Sequence, residues 1–245
     1  MILRNELEYQ GGWLFKYRSY FPLIILLFGF LVFLQPNQHE SFFGNYKVYF
    51  EIYCLFVSFI GLGIRVYTIG YSAKNTSGRN TNDGQIAESL NCTGIYSIVR
   101  HPLYLGNFFM WLGLALFIGN LWFVIFFVLF YWIYYERIIF AEEQFLEKKF
   151  SNKYTEWASK TPTFIPNIFL FKKSNISFSI KKVLKQEKNG LFALFLIFCF
   201  FDIIEKVVKK HEKLNYIFII GCVVTMLLYV VLKVIKQSRL LDDGR

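Results

Sequence analysis

Tyr216–Leu232 (YIFIIGCVVTMLLYVVL) contains no charged residue, and no other feature of the chain restricts its fold so strongly. An uncharged apolar run of about this length can cross the hydrocarbon of a bilayer as a helix. Further runs follow the same pattern. Tyr20–Leu34 is slightly short but flanked by aromatics, and Val48–Ile64 carries only Glu51. Leu103–Gly119 and Leu121–Tyr135 flank a brief break at Gly119-Asn120, and Leu191–Ile204 contains Asp202. With 55% hydrophobic and 21% aromatic residues, the chain is too apolar for an ordinary soluble domain. The expectation is an all-α integral membrane helical bundle of about five or six transmembrane helices.

A net charge of +10 would suggest nucleic acid in a soluble chain. Here the basic residues cluster at the ends of apolar runs, where lipid headgroups lie. The expected partner is therefore the lipid bilayer, with no nucleic acid. Arg4, Lys16 and Arg18 precede the first run, Lys74, Arg79 and Arg100 lie between the second and third, and a lysine series runs from Lys148 to Lys188. Gln35–Asn45 and Ile118–Leu121 carry neither Lys nor Arg. The positive-inside rule then assigns the N-terminus, the Lys74–Arg100 loop and the Arg137–Lys188 segment to the cytoplasm. The basic link Lys206–Lys213 fits that scheme poorly.

The organisation reads as an N-terminal surface arm (1–19), a membrane core (20–166), a basic linker (167–189) and a C-terminal transmembrane extension (190–245). The polar stretch Tyr71–Asn91 reads as turns, with a short helix over Gly84–Leu90. The four cysteines form no CxxC pair, so neither a metal site nor a disulfide framework is expected. The chain has no GxGxxG, P-loop or HExxH pattern.

Three groups of residues are candidates for chemistry. Arg100-His101-Pro102 stands at the mouth of an apolar helix. Pro suits the first helical turn, which leaves Arg100 and His101 beside unsatisfied N–H groups and the positive end of the helix dipole, an anion-favouring place. The bland alternative is an arginine snorkelling to lipid phosphate and a histidine capping the helix. Glu142-Glu143 follows another apolar run. Acids at a membrane boundary are costly unless paired or solvated, and a carboxylate pair there suits an ammonium, a sulfonium or ribose hydroxyls. Gly61-Leu-Gly63-Ile-Arg65 allows either close helix packing or close approach of a ligand. Ser77–Thr81 could form a backbone nest for an anion, with Arg79 as a forked donor.

These residues together resemble the integral membrane methyltransferases typified by isoprenylcysteine carboxyl methyltransferase and the phospholipid methyltransferases. The resemblance rests on GIYSIVRHPLYLG, on EEQFLEKKFSNKYTEWASKTPTFIP and on the upstream Gly61–Arg65 helix, covering about Phe59 to Pro166. It implies an S-adenosyl-L-methionine pocket at the cytoplasmic face, reached by a lipid acceptor from within the bilayer. By resemblance, Tyr96, His101, Pro102, Tyr104 and Gly106 cover the cofactor and Glu142 and Glu143 hold its polar end. Arg65, Lys74, Arg79, Arg100 and Lys160 would then face the acceptor. Lys160 stands where carboxyl methyltransferases tend to have arginine, so no bidentate contact is expected from it.

The long loop before Arg100 is similar to that of a bacterial branch that methylates the phosphate of lipid A. It implies a bacterial inner membrane location. The resulting expectation is methyl transfer to an anionic lipid oxygen, with Arg100 and His101 at the reacting centre and lipid A phosphate as acceptor. Alternatives are an isoprenoid-linked carboxyl or phospholipid amine acceptor, an NADPH-dependent sterol-type reductase on a related scaffold, and a non-enzymatic transporter or assembly factor.

Overall fold

The computed structural model describes residues 2–35, 46–73, 76, 87–209 and 215–237. Among them the chain forms α-helices and no β-strand. The helices are α1 (Leu3–Lys16), α2 (Phe21–Phe33), α3 (Lys47–Gly70), α4 (Pro102–Phe117), α5 (Leu121–Phe150), α6 (Asn152–Ala158), α7 (Ile180–Lys209) and α8 (Tyr216–Gln237). By length and composition α3, α5 and α8 can each cross a membrane. α1 and α2, bent by 76° at their junction, would make a fourth span if taken together, and α4 is a shorter apolar helix. This is the multi-pass helical bundle that the apolar runs predict, with three or up to four spans by length and composition among the described residues rather than the expected five or six. The expected helix over 84–90 falls partly outside the described residues, and 87–90 is not helical.

The pairs α3–α4, α3–α7, α4–α5 and α7–α8 are antiparallel, while α4 and α7 run parallel. Ser58 of α3 donates to the Met110 carbonyl of α4 at 2.9 Å, and a Cβ on Gly113 would press on the Ser58 backbone. Phe59 meets Phe195 of α7, and Phe198 of α7 stacks on Phe218 of α8 at 5.3 Å between centroids. Phe108 of α4 lies against Phe127 and Tyr131 of α5. α1 and α2 run in succession along α5: Arg4 bonds Gln144, the Leu14 carbonyl accepts from Tyr134 at 3.3 Å, and Phe21 stacks on Tyr134. The N-terminal arm is thus laid against the outer half of α5. A Cβ on its Gly11 would collide with the Arg137 carbonyl.

α3 and α4 approach most closely. Gly61 and Gly106 face each other at their crossing, where a Cβ on either would meet the other helix's backbone. Close backbone approach is the usual reward of small residues between membrane helices. Gly63 has nothing within 4 Å of its would-be Cβ. The sharp α4–α5 turn uses Gly119 at φ 72°, a left-handed conformation open to glycine, and Asn120 caps α5 by accepting from Phe123 N–H at 3.0 Å.

α5 has 30 residues, about 45 Å at 1.5 Å per residue. The hydrocarbon is about 30 Å thick. The C-terminal turns, with Glu142 and Glu143, therefore project beyond it. The same end of the bundle holds the N-terminal arm, the 87–101 segment and residues 151–187. At the opposite end Glu51 and Asp202, the acids inside apolar runs, share one partner: Asn215 donates its side-chain amide to Glu51 at 2.8 Å and its backbone N–H to Asp202 at 3.1 Å. Lys47 pairs with Glu205 at 2.7 Å. Acids at this depth are paired and turned inward, as their desolvation cost requires. α7 starts at Ile180 and so runs through the boundary at 189 between linker and extension.

Candidate active site

The Arg-His-Pro segment is held from below by chain that follows α5. Gly94 takes φ 63°, and its N–H donates to the Lys172 carbonyl at 2.8 Å. Trp157 of α6 donates its indole N–H to the Tyr96 carbonyl at 3.1 Å. Arg100 N–H reaches the Pro162 carbonyl, and Asn167 N–H the Ile98 carbonyl, each at 2.9 Å. Pro102 then opens α4 with His101 as the residue before it. The His101 carbonyl accepts from Tyr104 and Leu105 N–H at 3.2 Å, but its ring caps nothing.

The ring faces α5 instead. His101 Nε2 lies 3.1 Å from Glu143 Oε1, and Nδ1 lies 3.7 Å from Glu142 Oε2. Arg100 Nη1 pairs with both Glu143 oxygens, at 2.9 and 3.0 Å, while its Nη2 bonds Thr163. Tyr104 donates to Glu142 Oε2 at 2.7 Å and, through its carbonyl, accepts from Tyr131 at 2.7 Å. Two motifs more than forty residues apart (Arg100 to Glu143 is |i−j| = 43) form one charged network at the mouth of α4.

Beside this network is a cavity of about 390 Å³. One wall carries Tyr96, Arg100, His101, Pro102 and Tyr104, and another Tyr135 and Glu142. Arg65 and Asn107 line it from α3 and α4, Phe15 and Arg18 from the N-terminal arm, Trp157 from α6 and Gln186 from α7. Asn91 and Leu90 close it on the side of the preceding loop. Of the residues proposed from sequence, Arg65, Tyr96, Arg100, His101, Pro102, Tyr104 and Glu142 meet at this cavity. Glu143 stands directly behind it through Arg100 and His101. Gly106 is in the α3–α4 crossing, where a Cβ would lie 2.6 Å from Arg65 Cγ. Lys160 lines a separate open groove formed by Arg100 and residues 158–163 and 165–170. Lys74 and Arg79 lie outside the described residues.

Loss of hydration, then the nearby Glu142 carboxylate, pushes the Tyr96 phenol up, against a hydrogen bond from Asn91 that pulls it down. It is a neutral hydrogen-bonding group at physiological pH. Burial likewise pushes the Cys92 thiol up, opposed by Lys153 and Lys172, so this cysteine is a poor nucleophile. Among the described residues no group of three His, Cys, Asp or Glu is arranged to hold a metal ion.

Sequence reading did not identify Glu187 and Asn107. Arg65 donates Nε to Glu187 Oε2 at 2.9 Å and Nη2 to Oε1 at 2.5 Å, and Nη1 to Asn107 Oδ1 at 2.5 Å. Asn107 stands one turn beyond Tyr104 on the same face of α4, a spacing visible in the sequence. Glu187 carries no such local signal.

Residues 40–153 match the phospholipid methyltransferase family model. A protein-S-isoprenylcysteine O-methyltransferase of Schizosaccharomyces pombe is 40% identical over 76 residues, 31% of this chain and 32% of its own length. One from Saccharomyces cerevisiae is 37% identical over 76 residues, with the same coverage of both chains. A cobalt-zinc-cadmium resistance protein, CzcN, of Cupriavidus metallidurans is 33% identical over 113 residues, 45% of this chain and 49% of its own. The chain thus spans about a third to a half of the length of these relatives. No solved structure matches it. The matched stretch contains both halves of the network at the mouth of α4, and over it the chain is similar to phospholipid methyltransferases and to isoprenylcysteine O-methyltransferases.

Proposed function

We propose that this protein transfers a methyl group from S-adenosyl-L-methionine to an anionic oxygen of a lipid acceptor, at the cytoplasmic face of a bacterial inner membrane. The observation that carries the reading is the joining of Arg100-His101 to Glu142-Glu143 at the wall of a cavity where membrane helices end. Its volume falls within the range of small-molecule sites, roughly 300–1,000 Å³. The residues present suit the cofactor. Glu142 presents a carboxylate at the wall for its ammonium or ribose hydroxyls, and Tyr96, Trp157 and Tyr104 offer aromatic surface for its base. Arg100 Nε is buried with no hydrogen-bond partner among the described residues, a donor suited to a carboxylate.

S-adenosyl-L-methionine supplies an electrophilic methyl on a sulfonium centre. A carboxylate or phosphodiester-type oxygen is ionised at neutral pH, so the chain need not supply a strong base. Its contribution is placement and exclusion of water from two oppositely charged reactants. His101 has a carboxylate near each ring nitrogen, which suits it to holding the two glutamates in place rather than to shuttling protons. Arg100 fixes Glu143 and the loop at Thr163 with one fork.

Lipid A phosphate is the finer reading, supported by the sequence of the loop containing Lys74 and Arg79. A carboxylate acceptor has its own support: Arg65 and Arg100 are each paired with a carboxylate, which lowers the net positive charge a phosphate dianion would require. Purified protein incubated with labelled S-adenosyl-L-methionine and bacterial lipid fractions tests the reading, alongside mass spectrometry of lipids from cells with and without the gene. A lipid that gains one methyl group only when the gene is present supports it and identifies the acceptor. Absence of any labelled lipid and of any gene-dependent lipid species overturns it.

A further inference from the structure

We propose that Glu187, on α7 and outside the family-matched stretch, is a positioning residue that aims Arg65 at the acceptor, so that a helix beyond the matched core supplies part of the site. The inference rests on the methyltransferase reading above and deepens it.

The geometry is specific. The guanidinium has five N–H donors. Glu187 takes one edge bidentately through Nε and Nη2, and Asn107 takes one hydrogen of Nη1. A planar fork held on one edge by a carboxylate has its plane and direction fixed. One hydrogen on each terminal nitrogen is then left for an oxygen ligand in the cavity that Arg65 lines. Glu187 is itself only 4% exposed. A buried carboxylate is costly unless its partner is well aligned, and here the partner meets both of its oxygens.

The start of α7 is docked firmly enough to serve this purpose. Lys182 donates to the carbonyls of Ser72 and Ala73 and to the Ser72 hydroxyl at 2.7–2.8 Å. It thereby satisfies carbonyls just beyond the C-terminus of α3, a favourable place for a cation. Ser179 N–H reaches the Gly70 carbonyl at 2.9 Å, and Phe178 packs so closely on Gly70 that a Cβ there would collide. One turn after Lys182, Gln186 lines the cavity, and Glu187 follows. α7 is therefore pinned to the end of α3 that carries Arg65, and it places Gln186 at the cavity and Glu187 on Arg65 behind the cavity wall.

Glu187 also sets charge. With Glu187 in place Arg65 recognises an acceptor by directed hydrogen bonds more than by net charge, which suits a singly charged oxygen acid. Removing the carboxylate while keeping the shape, as in Glu187→Gln, loosens the aim of Arg65 and leaves its charge unbalanced. The acceptor step should suffer and the donor site should not.

The test uses full-length protein in detergent micelles. Calorimetry with S-adenosyl-L-homocysteine reads the donor site, and transfer of labelled methyl to a bacterial lipid extract reads the acceptor side. Glu187→Gln is expected to bind S-adenosyl-L-homocysteine as wild type does and to lose roughly 10- to 100-fold in transfer, chiefly through KM for lipid. Glu187→Asp, which keeps the carboxylate, should recover part of the loss. Arg65→Gln/Glu187→Gln should be no worse than Arg65→Gln, because Glu187 acts through Arg65. Wild-type transfer by Glu187→Gln overturns the inference, as does equal loss of donor binding and transfer with no rescue by aspartate, which is the signature of a structural role alone. Wild-type protein that binds S-adenosyl-L-homocysteine but labels no lipid overturns the lipid-acceptor reading, and this inference with it.

Discussion

His101 Nε2 stands 3.1 Å from Glu143 Oε1, and the same carboxylate takes Arg100 Nη1. One side chain of α5 therefore holds both polar residues at the mouth of α4. The register of α4 against α5 is fixed at the cavity by this shared acid and, one turn further in, by the Tyr131–Tyr104 bond.

Glu143→Ala should accordingly do two things. It leaves the Arg100 charge, 17% exposed at the side chain, without its partner, a change worth up to about 3–5 kcal/mol for a fully buried pair and less here because both groups are partly solvated. It also frees the His101 ring. We expect a lower melting temperature in detergent and loss of S-adenosyl-L-homocysteine binding measured by calorimetry. Glu142→Gln leaves the Arg100 pair intact, so it should weaken donor binding with little effect on melting.

The α3–α4 crossing makes a paired prediction with an internal control. Gly61→Ala and Gly106→Ala place a methyl against the opposite helix backbone, which cannot yield as a flexible side chain can. Overpacking of this kind costs about 1–3 kcal/mol, and the shift should separate Arg65 from Asn107. Gly63→Ala meets open space and should gain up to about 1 kcal/mol of helix stability. Melting curves of the three variants, with donor binding measured in parallel, check this. Equal melting for all three would contradict the close crossing.

Much of this arrangement is legible in the sequence where the signal is local. The apolar runs mark the bundle, and Pro102 marks the start of α4. Arg100-His101 and Glu142-Glu143 are each visible as polar residues at the ends of apolar helices. Their union is a tertiary fact, inferred only through resemblance to a family that carries both. Glu187 is the opposite case. It lies |i−j| = 122 from Arg65 in a lysine-rich stretch where an acid reads as a solvated charge, and no periodicity connects the two. Glu51 and Asp202 read as isolated acids within apolar runs. Their shared partner, Asn215, is a small polar residue in a link between helices, with nothing in its sequence context to mark it.

That distal cluster should be purely structural. Lys47→Ala strands Glu205, whose pair distance is 2.7 Å, and Asn215→Ala removes the bond to Glu51 at 2.8 Å. Loss of one hydrogen bond to a charged group costs about 1.5–3 kcal/mol. Both variants should melt earlier, while S-adenosyl-L-homocysteine affinity in the surviving folded protein stays at the wild-type value. A change in affinity would mean that the two ends of α3 are coupled.

Arg100→Lys tests whether the site needs a fork or only a charge. Arg100 spans two elements at once, with Nη1 on Glu143 of α5 and Nη2 on Thr163 of the segment after α6. An ammonium retains the charge but concentrates its donors at one point, so it can follow Glu143 or Thr163 and not hold both. The loop at 162–167, otherwise tied to the motif by the Arg100–Pro162 and Asn167–Ile98 backbone bonds, should then be the more weakly held partner. We expect Arg100→Lys to fold and keep most of its melting temperature, because the Glu143 carboxylate still has a cation beside it. Methyl transfer should fall by roughly 10- to 100-fold, as for a misplaced positioning group, and hydrogen exchange over 162–167 should quicken. Transfer at the wild-type rate with unchanged exchange would mean that charge alone suffices at this position and that the Thr163 contact is incidental.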